Sequence, residues 1–169
     1  MFSGMVFDGW GIAFIFEEYQ QVRPNHPSLI TFMKKNVFLV DDDRDDREIF
    51  IEALAEIDNS CSCVTAENGE EAIKKLHTNG FLPDLIFLDL NMPRMNGREC
   101  LVEIKNIKRL QEIPVIIYTT SSLQREREEL VRLGASMFLT KPANFHDLCH
   151  SLKQVLLNNY QDNMTMMRS

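Results

Sequence analysis

Two kinds of hydrophobic pattern alternate along the chain from Lys34 onward. Short, almost continuous apolar runs occur at Val37-Phe38-Leu39-Val40, Leu85-Ile86-Phe87-Leu88, Val115-Ile116-Ile117-Tyr118 and Met137-Phe138-Leu139, with a weaker candidate from Cys61 to Ala66. Apolar runs without polar alternation predict strands covered on both faces, as in a parallel sheet. Between these runs apolar residues recur at helical spacing. Phe50, Ala53, Leu54 and Ile57 form one stripe, Ala72, Ile73 and Leu76 a second, Leu101 and Ile104 a third. Leu123, Leu130 and Val131 form a weaker fourth, and Phe145, Leu148, Leu152, Val155 and Leu156 the last. Each stripe predicts an amphipathic helix with that side toward a core. The polar run Gln124-Arg125-Glu126-Arg127-Glu128-Glu129 predicts a solvated face. Strands alternating with helices in this way predict an α/β fold, a doubly wound five-stranded parallel sheet.

Residues 1–33 have a different character: scattered aromatics and glycines, the breaker Pro24-Asn25-His26-Pro27, and no sustained period. They are expected to form an N-terminal arm. Three readings are open for it: a poorly ordered segment, an over-extended start upstream of an initiator at Met33, or a docking arm presenting Phe14, Phe16 and Tyr19. Residues 34–158 carry the α/β pattern. Residues 159–169 are a short polar, Met-rich tail, expected to be disordered, and no output domain is expected after it.

Composition narrows the function classes. A chain of 169 residues can bury a substantial core, and 44% hydrophobic with 25% charged residues is ordinary for a globular domain. The net charge of −7, with no basic block, argues against a nucleic-acid partner, because phosphate backbones reward clustered Lys and Arg. Cys61, Cys63, Cys100 and Cys149 follow no disulfide or zinc-ribbon spacing, which suits a reducing compartment. No apolar run reaches the roughly 20 residues a bilayer requires. The stretch from Trp10 to Phe16 is short, contains Gly11 and lacks the flanks of a signal peptide. A cytoplasmic protein with no membrane partner is expected.

The chemistry gathers at the strand ends. The first predicted strand ends in Asp41-Asp42, the third in Asp89, the fourth in Thr119-Thr120 and the fifth in Thr140-Lys141-Pro142. In an open parallel sheet, ligands bind beyond the carboxyl ends of the strands. Converging carboxylates raise one another's pKa unless a cation lies among them, and oxygen-only ligands select a hard divalent ion such as Mg²⁺. The absence of His and Cys from the set disfavours zinc. A second reading of Asp41-Asp42-Asp43, capping of the following helix, is assigned to Asp43. Asp89 is the candidate nucleophile toward phosphorus. Lys141 offers a compact ammonium and Thr119 a hydroxyl to phosphoryl oxygens.

Other classes fit less well. A phosphatase with an Asp-x-Asp nucleophile and general acid would meet an amide in Asp89-Leu90-Asn91, which cannot give and recover a proton. Asp41-Asp42-Asp43 does contain an Asp-x-Asp. No glycine-rich nucleotide loop follows a strand. His146, Cys149 and His150 lie at helix spacing without a fourth ligand and are assigned as ordinary helix residues.

Taken in order, Val40-Asp41-Asp42, the run from Asp84 to Pro93, Asn96-Gly97, the run from Pro114 to Ser121, and Gly134-Ala135 leading to Lys141-Pro142 resemble the receiver domain of two-component response regulators. Those of the small single-domain type are included, and the separations between Asp42, Asp89, Thr119 and Lys141 agree with that family. The resemblance implies a flavodoxin-like sheet of order 2-1-3-4-5 and phosphorelay signalling rather than turnover of an external substrate. Asp89 would be the phosphoacceptor and a Mg²⁺ ligand, Asp42 a direct ligand, Asp41 a ligand acting mainly through water, and the backbone carbonyl of Asn91 the remaining one. Thr119 and Lys141 would hold the phosphoryl oxygens, and the Lys141–Pro142 bond would be cis. Thr119 and Phe138 would form the switch, with Phe138 lacking the hydroxyl that Tyr often supplies there. Thr120 would narrow access to the phosphate, and Asn91 and Ser121 would tune the lifetime. The implied partners are a sensor histidine kinase or phosphotransfer protein and a downstream protein target, and a homodimer is left open. A pseudo-receiver, with the fold but no phosphorylation, is the competing reading.

Overall fold

A computed structural model describes residues 35–78, 80–120 and 126–166, with side chains to residue 157, and the backbone of two short strands nearer the N-terminus. The chain divides into two units, Met1–Phe32 and Met33–Ser169. In the first, β1 (Met5–Phe7) and β2 (Ala13–Ile15) pair antiparallel, with Met5 opposite Ile15. The sequence pattern offers no element there, since apolar triplets are too short to show a period. Phe16, Tyr19, Ser121, Leu123, Gln124 and Arg125, the side chain of Phe14 and those of residues 159–169 lie outside the described residues.

The second unit holds five strands: β3 (Asn36–Val40), β4 (Ser62–Ala66), β5 (Leu85–Leu88), β6 (Val115–Thr119) and β7 (Met137–Thr140). They form one sheet in the order β4-β3-β5-β6-β7, every pairing parallel. Numbered within the sheet this is 2-1-3-4-5, the flavodoxin-like order the sequence implied. The helices are α1 (Arg44–Ile57), α2 (Gly69–Leu76), α3 (Gly97–Asn106), α4 (Arg127–Arg132) and α5 (Phe145–Met166). Among the described residues, no helix is long and apolar enough to cross a membrane.

Successive strand residues point to opposite faces, so each continuous apolar run feeds two cores. Phe38, Val40, Ile86, Leu88, Val115 and Ile117 pack with Ala72, Leu76, Leu101, Ile104 and Leu130, from α2, α3 and α4. Their neighbours Val37, Leu39, Leu85, Phe87, Ile116 and Tyr118 pack with Phe50, Ala53, Leu54, Leu148, Leu152, Val155 and Leu156, from α1 and α5. Edge strands β4 and β7 are mostly half-buried, because a neighbour covers one side only. Two residues leave their predicted stripes: Val131 is 53% and Phe145 42% exposed. Helix α4 is shorter than two turns and points Leu130 inward, which rotates the next residue about 100° away. Phe145 starts α5, before the helix has reached the sheet.

Side-chain caps fix where three helices begin. Asp43 accepts from the N–H groups of Asp45 and Asp46, as the capping reading required, and Asn68 accepts from Glu71. Asn96 and Glu99 form a reciprocal capping box at α3. Gly97 follows, its N–H donating to the Leu90 carbonyl at 3.0 Å. A Cβ there would stand 2.1 Å from the Asp89 carbonyl oxygen and 2.7 Å from the Leu90 Cα. Both obstacles are backbone and cannot swing aside. Gly97→Ala is therefore expected to cost about 1–3 kcal/mol, read as a lower urea midpoint at unchanged slope; an unchanged midpoint would show that this loop yields freely.

Candidate metal centre

The register of the sheet assembles the site. Val40 is level with Leu88 in adjacent parallel strands, so the residues that follow, Asp41 and Asp89, emerge side by side at the carboxyl edge. The N–H of Asp41 donates to the Ala66 carbonyl at 3.0 Å and that of Asp89 to the Val40 carbonyl at 2.9 Å, which continues the ladder one residue past each strand. Both carboxylates are thereby held on hydrogen-bonded backbone and buried. Asp42 points to solvent. One carboxylate oxygen from each of Asp41, Asp42 and Asp89 lies within 4.8 Å of the other two.

Lys141 stands across from them. Its Nζ lies 2.7 Å from Asp41 Oδ2 and 2.7 Å from Asp46 Oδ2, and 5.4 Å from the centroid of the Tyr118 ring. Its backbone N–H donates to the Thr119 carbonyl at 3.0 Å, tying the ends of β6 and β7 together. Thr119 is buried, and Thr120 beside it is exposed. Asn91 is exposed, and its N–H donates to Asp89 Oδ2 at 3.3 Å, which sets the Asn91 peptide beside that carboxylate. The five residues singled out at the strand ends, Asp41, Asp42, Asp89, Thr119 and Lys141, are thus on one edge.

Two participants were not anticipated. Asp46, in the first turn of α1, shares the Lys141 ammonium; the sequence signals it only as an acid suited to a helix N-terminus. Arg47 donates through Nη1 to the Asp41 main-chain carbonyl at 2.7 Å and fixes the start of that loop. Phe138 is half-buried on β7, with the Arg127 guanidinium 4.5 Å from its ring centroid. The Lys141–Pro142 bond is trans, against the cis form expected: none of the described residues carries a cis peptide. Trans is the lower-energy form of an X–Pro bond by about 0.5–1 kcal/mol, and the residue types alone do not select the other.

The electrostatics are lopsided. Burial raises the Asp41 pKa to about 6, and the nearby Asp89 adds to the rise, while Lys141 and the Asp43 N–H pull it back only in part. Burial acts to lower the Lys141 pKa, yet Asp41 and Asp46 outweigh it and hold the ammonium above its ordinary value. The two partners disagree about the quality of their pairing because their surroundings differ. Lys141 faces several carboxylates; Asp41 faces one ammonium and further carboxylates. Asp41 Oδ2, although 2.7 Å from Lys141 Nζ, makes no hydrogen bond of proper geometry and is sealed from solvent. A buried carboxylate oxygen with only the Lys141 ammonium beside it, two further carboxylates within reach, and an opening through exposed Asp42 suit a hard divalent cation that keeps some of its water. With no sulfur or imidazole in the set, a zinc site is a poor fit.

The family pattern described as the response regulator receiver domain matches residues 37–153. The two-component response regulator ARR17 of Arabidopsis thaliana is 35% identical over 133 residues, 73% of this chain and 85% of that protein. Among solved structures, the phosphorylated cyanobacterial phytochrome response regulator RcpA matches with a TM-score of 0.66 at 35% identity, over 73% of this chain and 91% of that one. The Mn²⁺-bound form of response regulator Rcp1 matches with a TM-score of 0.63 at 33% identity, over 72% and 91%. Family pattern, fold order and the shared edge of acids and lysine agree: this chain belongs to the response regulator receiver domain family, the signalling module of two-component systems.

Proposed function

We propose that Asp89 is the phosphoacceptor of a phosphorelay and that Mg²⁺ is held by Asp42, Asp89 and the backbone carbonyl of Asn91, with Asp41 acting mainly through water. The observation that carries this reading is the approach of the three carboxylates to within 4.8 Å while Lys141 stands over the same edge. The cation supplies charge neutralisation for the transferring oxygens. An Asp89 carboxylate oxygen attacks phosphorus, the phosphorus–nitrogen bond of a donor phosphohistidine breaks, and the imidazole leaves with the bonding pair. Lys141 turns its ammonium from Asp46 toward one phosphoryl oxygen, and the Thr119 hydroxyl donates to another. The donor is a sensor histidine kinase or phosphotransfer protein. The outcome is a change in protein contacts, not turnover of an external phosphate ester.

The working unit is residues 34–158, flanked by an arm of residues 1–33 and a tail of residues 159–169. Phosphorylation adds about −1.5 to −2 charges at Asp89 and biases a two-state equilibrium of the Thr119–Phe138 side. Phe138 has no hydroxyl, so its part in the switch is movement of the ring against Arg127. Four free cysteines fit a cytoplasmic setting.

Two measurements test the reading. Incubation with acetyl phosphate and Mg²⁺, followed by intact-mass analysis, is expected to add one phosphoryl group; omission of the metal or Asp89→Asn is expected to abolish it. An unmodified wild-type mass would instead favour the pseudo-receiver. The second uses Asp42, whose exposure lets Asp42→Asn change stability by no more than about 0.5 kcal/mol. Calorimetric titration with Mg²⁺ is expected to show affinity weakened about 10–100-fold in this variant, at least the loss typical of residues that merely support a metal ligand. Unaltered affinity would remove Asp42 from the ligand set.

A further inference from the structure

A second concavity lies on the α2–α3–α4 side of the sheet. It occupies the groove between α3 and α4, and its volume is about 500 Å³. Met95, Val102 and Leu133 give it apolar walls, and Glu99, Glu103 and Glu129 stand around them. Among the described residues the only basic one lining it, Arg98, is engaged by nearby acids: it pairs with Glu129 and lies 3.7 Å from Glu126. Glu99 takes the Asn96 N–H through one oxygen, at 3.0 Å. Glu103 is exposed and has no hydrogen-bond or ion-pair partner among the described residues. The groove therefore keeps a surplus of negative charge around an apolar floor.

We propose that this groove is a docking site for a basic segment of a partner protein, with one large apolar side chain entering between Val102 and Leu133 and Lys or Arg on either side of it. The volume suits one or two large side chains and falls within the range of ordinary binding pockets, about 300–1,000 Å³. Charge complementarity selects the occupant. Residues 1–33 contain one basic residue, Arg23, against Asp8, Glu17 and Glu18, and residues 159–169 set Arg168 against Asp162, so neither end of this chain matches. A second copy, at a net charge of −7, is repelled. Acidic residues around an apolar anchor steer a basic ligand and reject an acidic one.

The test selects random dodecamer peptides displayed on phage against the full chain, then titrates the enriched peptides into nitrogen-15-labelled protein. The expected consensus is a Leu, Met or Phe flanked by at least two Lys or Arg residues. Saturable amide shifts are expected at Met95, Val102, Glu103 and Leu133. Glu103→Lys, an exposed helix-surface change that leaves the cores untouched, is expected to weaken binding about tenfold or more, and added salt is expected to weaken it further. Val102→Asn gives an independent check through the apolar wall, with the same direction expected. The proposal is overturned if no consensus emerges, if the consensus is acidic, or if the shifts map elsewhere. It is equally overturned if Glu103→Lys leaves affinity unchanged, or if the same amides shift with protein concentration alone, which would mark the groove as a contact between copies.

Discussion

Carboxylates crowd around one ammonium at the carboxyl edge of the sheet. Lys141 Nζ lies 2.7 Å from both Asp41 and Asp46, while Asp42 and Asp89 approach Asp41 to within 4.8 Å. The backbone imposes this crowding. Parallel pairing puts the residues after β3 and β5 next to each other, and a packed core beneath leaves neither strand free to retreat. Removing charge from water is costly, and a buried pair recovers that cost only with good geometry and further hydrogen bonds. Asp41 lacks further bonds on Oδ2, and burial, with Asp89 nearby, raises its pKa despite Lys141 and the Asp43 N–H. The edge is thus built short of positive charge. A divalent cation is the addition that fits such an edge.

Much of the architecture was legible in the chain. The runs at Val37–Val40 and Leu85–Leu88 are apolar throughout because each strand feeds the core above and the core below. The strand ends were legible for a related reason. Asp41, Asp89 and Thr119 are polar side chains immediately after or at the end of such runs, buried where an apolar residue would pack as well. Polar residues closing apolar runs point to function rather than packing, and that much needs only the order of residues; their burial is seen in the structure.

What escaped was set by three-dimensional approach. Asp46 looks like any acid in the first turn of a helix; its bond to Lys141 joins residues 95 positions apart. Gly97 forms part of a recognisable Asn-Gly pair, yet the reason a Cβ is excluded there, the Asp89 carbonyl, is visible only once α3 is seated on that loop. Val131 shares helical spacing with the predicted stripe, but a helix as short as α4 has too few turns for spacing to say which neighbour faces inward. The Lys141–Pro142 isomer is a property of the loop, and two residue names do not determine it.

The unequal burial of the two Lys141 partners bears on how the edge would respond to phosphate. The Asp41 side chain is fully buried, and separating it from Lys141 would leave an uncompensated charge, at a cost of about 3–5 kcal/mol. The Asp46 side chain is 39% exposed, so water takes over when its bond is given up, and an exposed pair of this kind contributes about 0–1 kcal/mol. The cheaper movement is therefore fixed in advance. Lys141 can release Asp46 and turn toward a new anion at Asp89 while keeping Asp41 within reach. Because its backbone N–H is bound to the Thr119 carbonyl, the turn draws on the side chain alone and leaves the ends of β6 and β7 joined. Under the proposed phosphorylation, a rearrangement reaching Phe138 and Arg127 would start from the Thr119 side, since the lysine side chain can meet the new charge without moving its own strand.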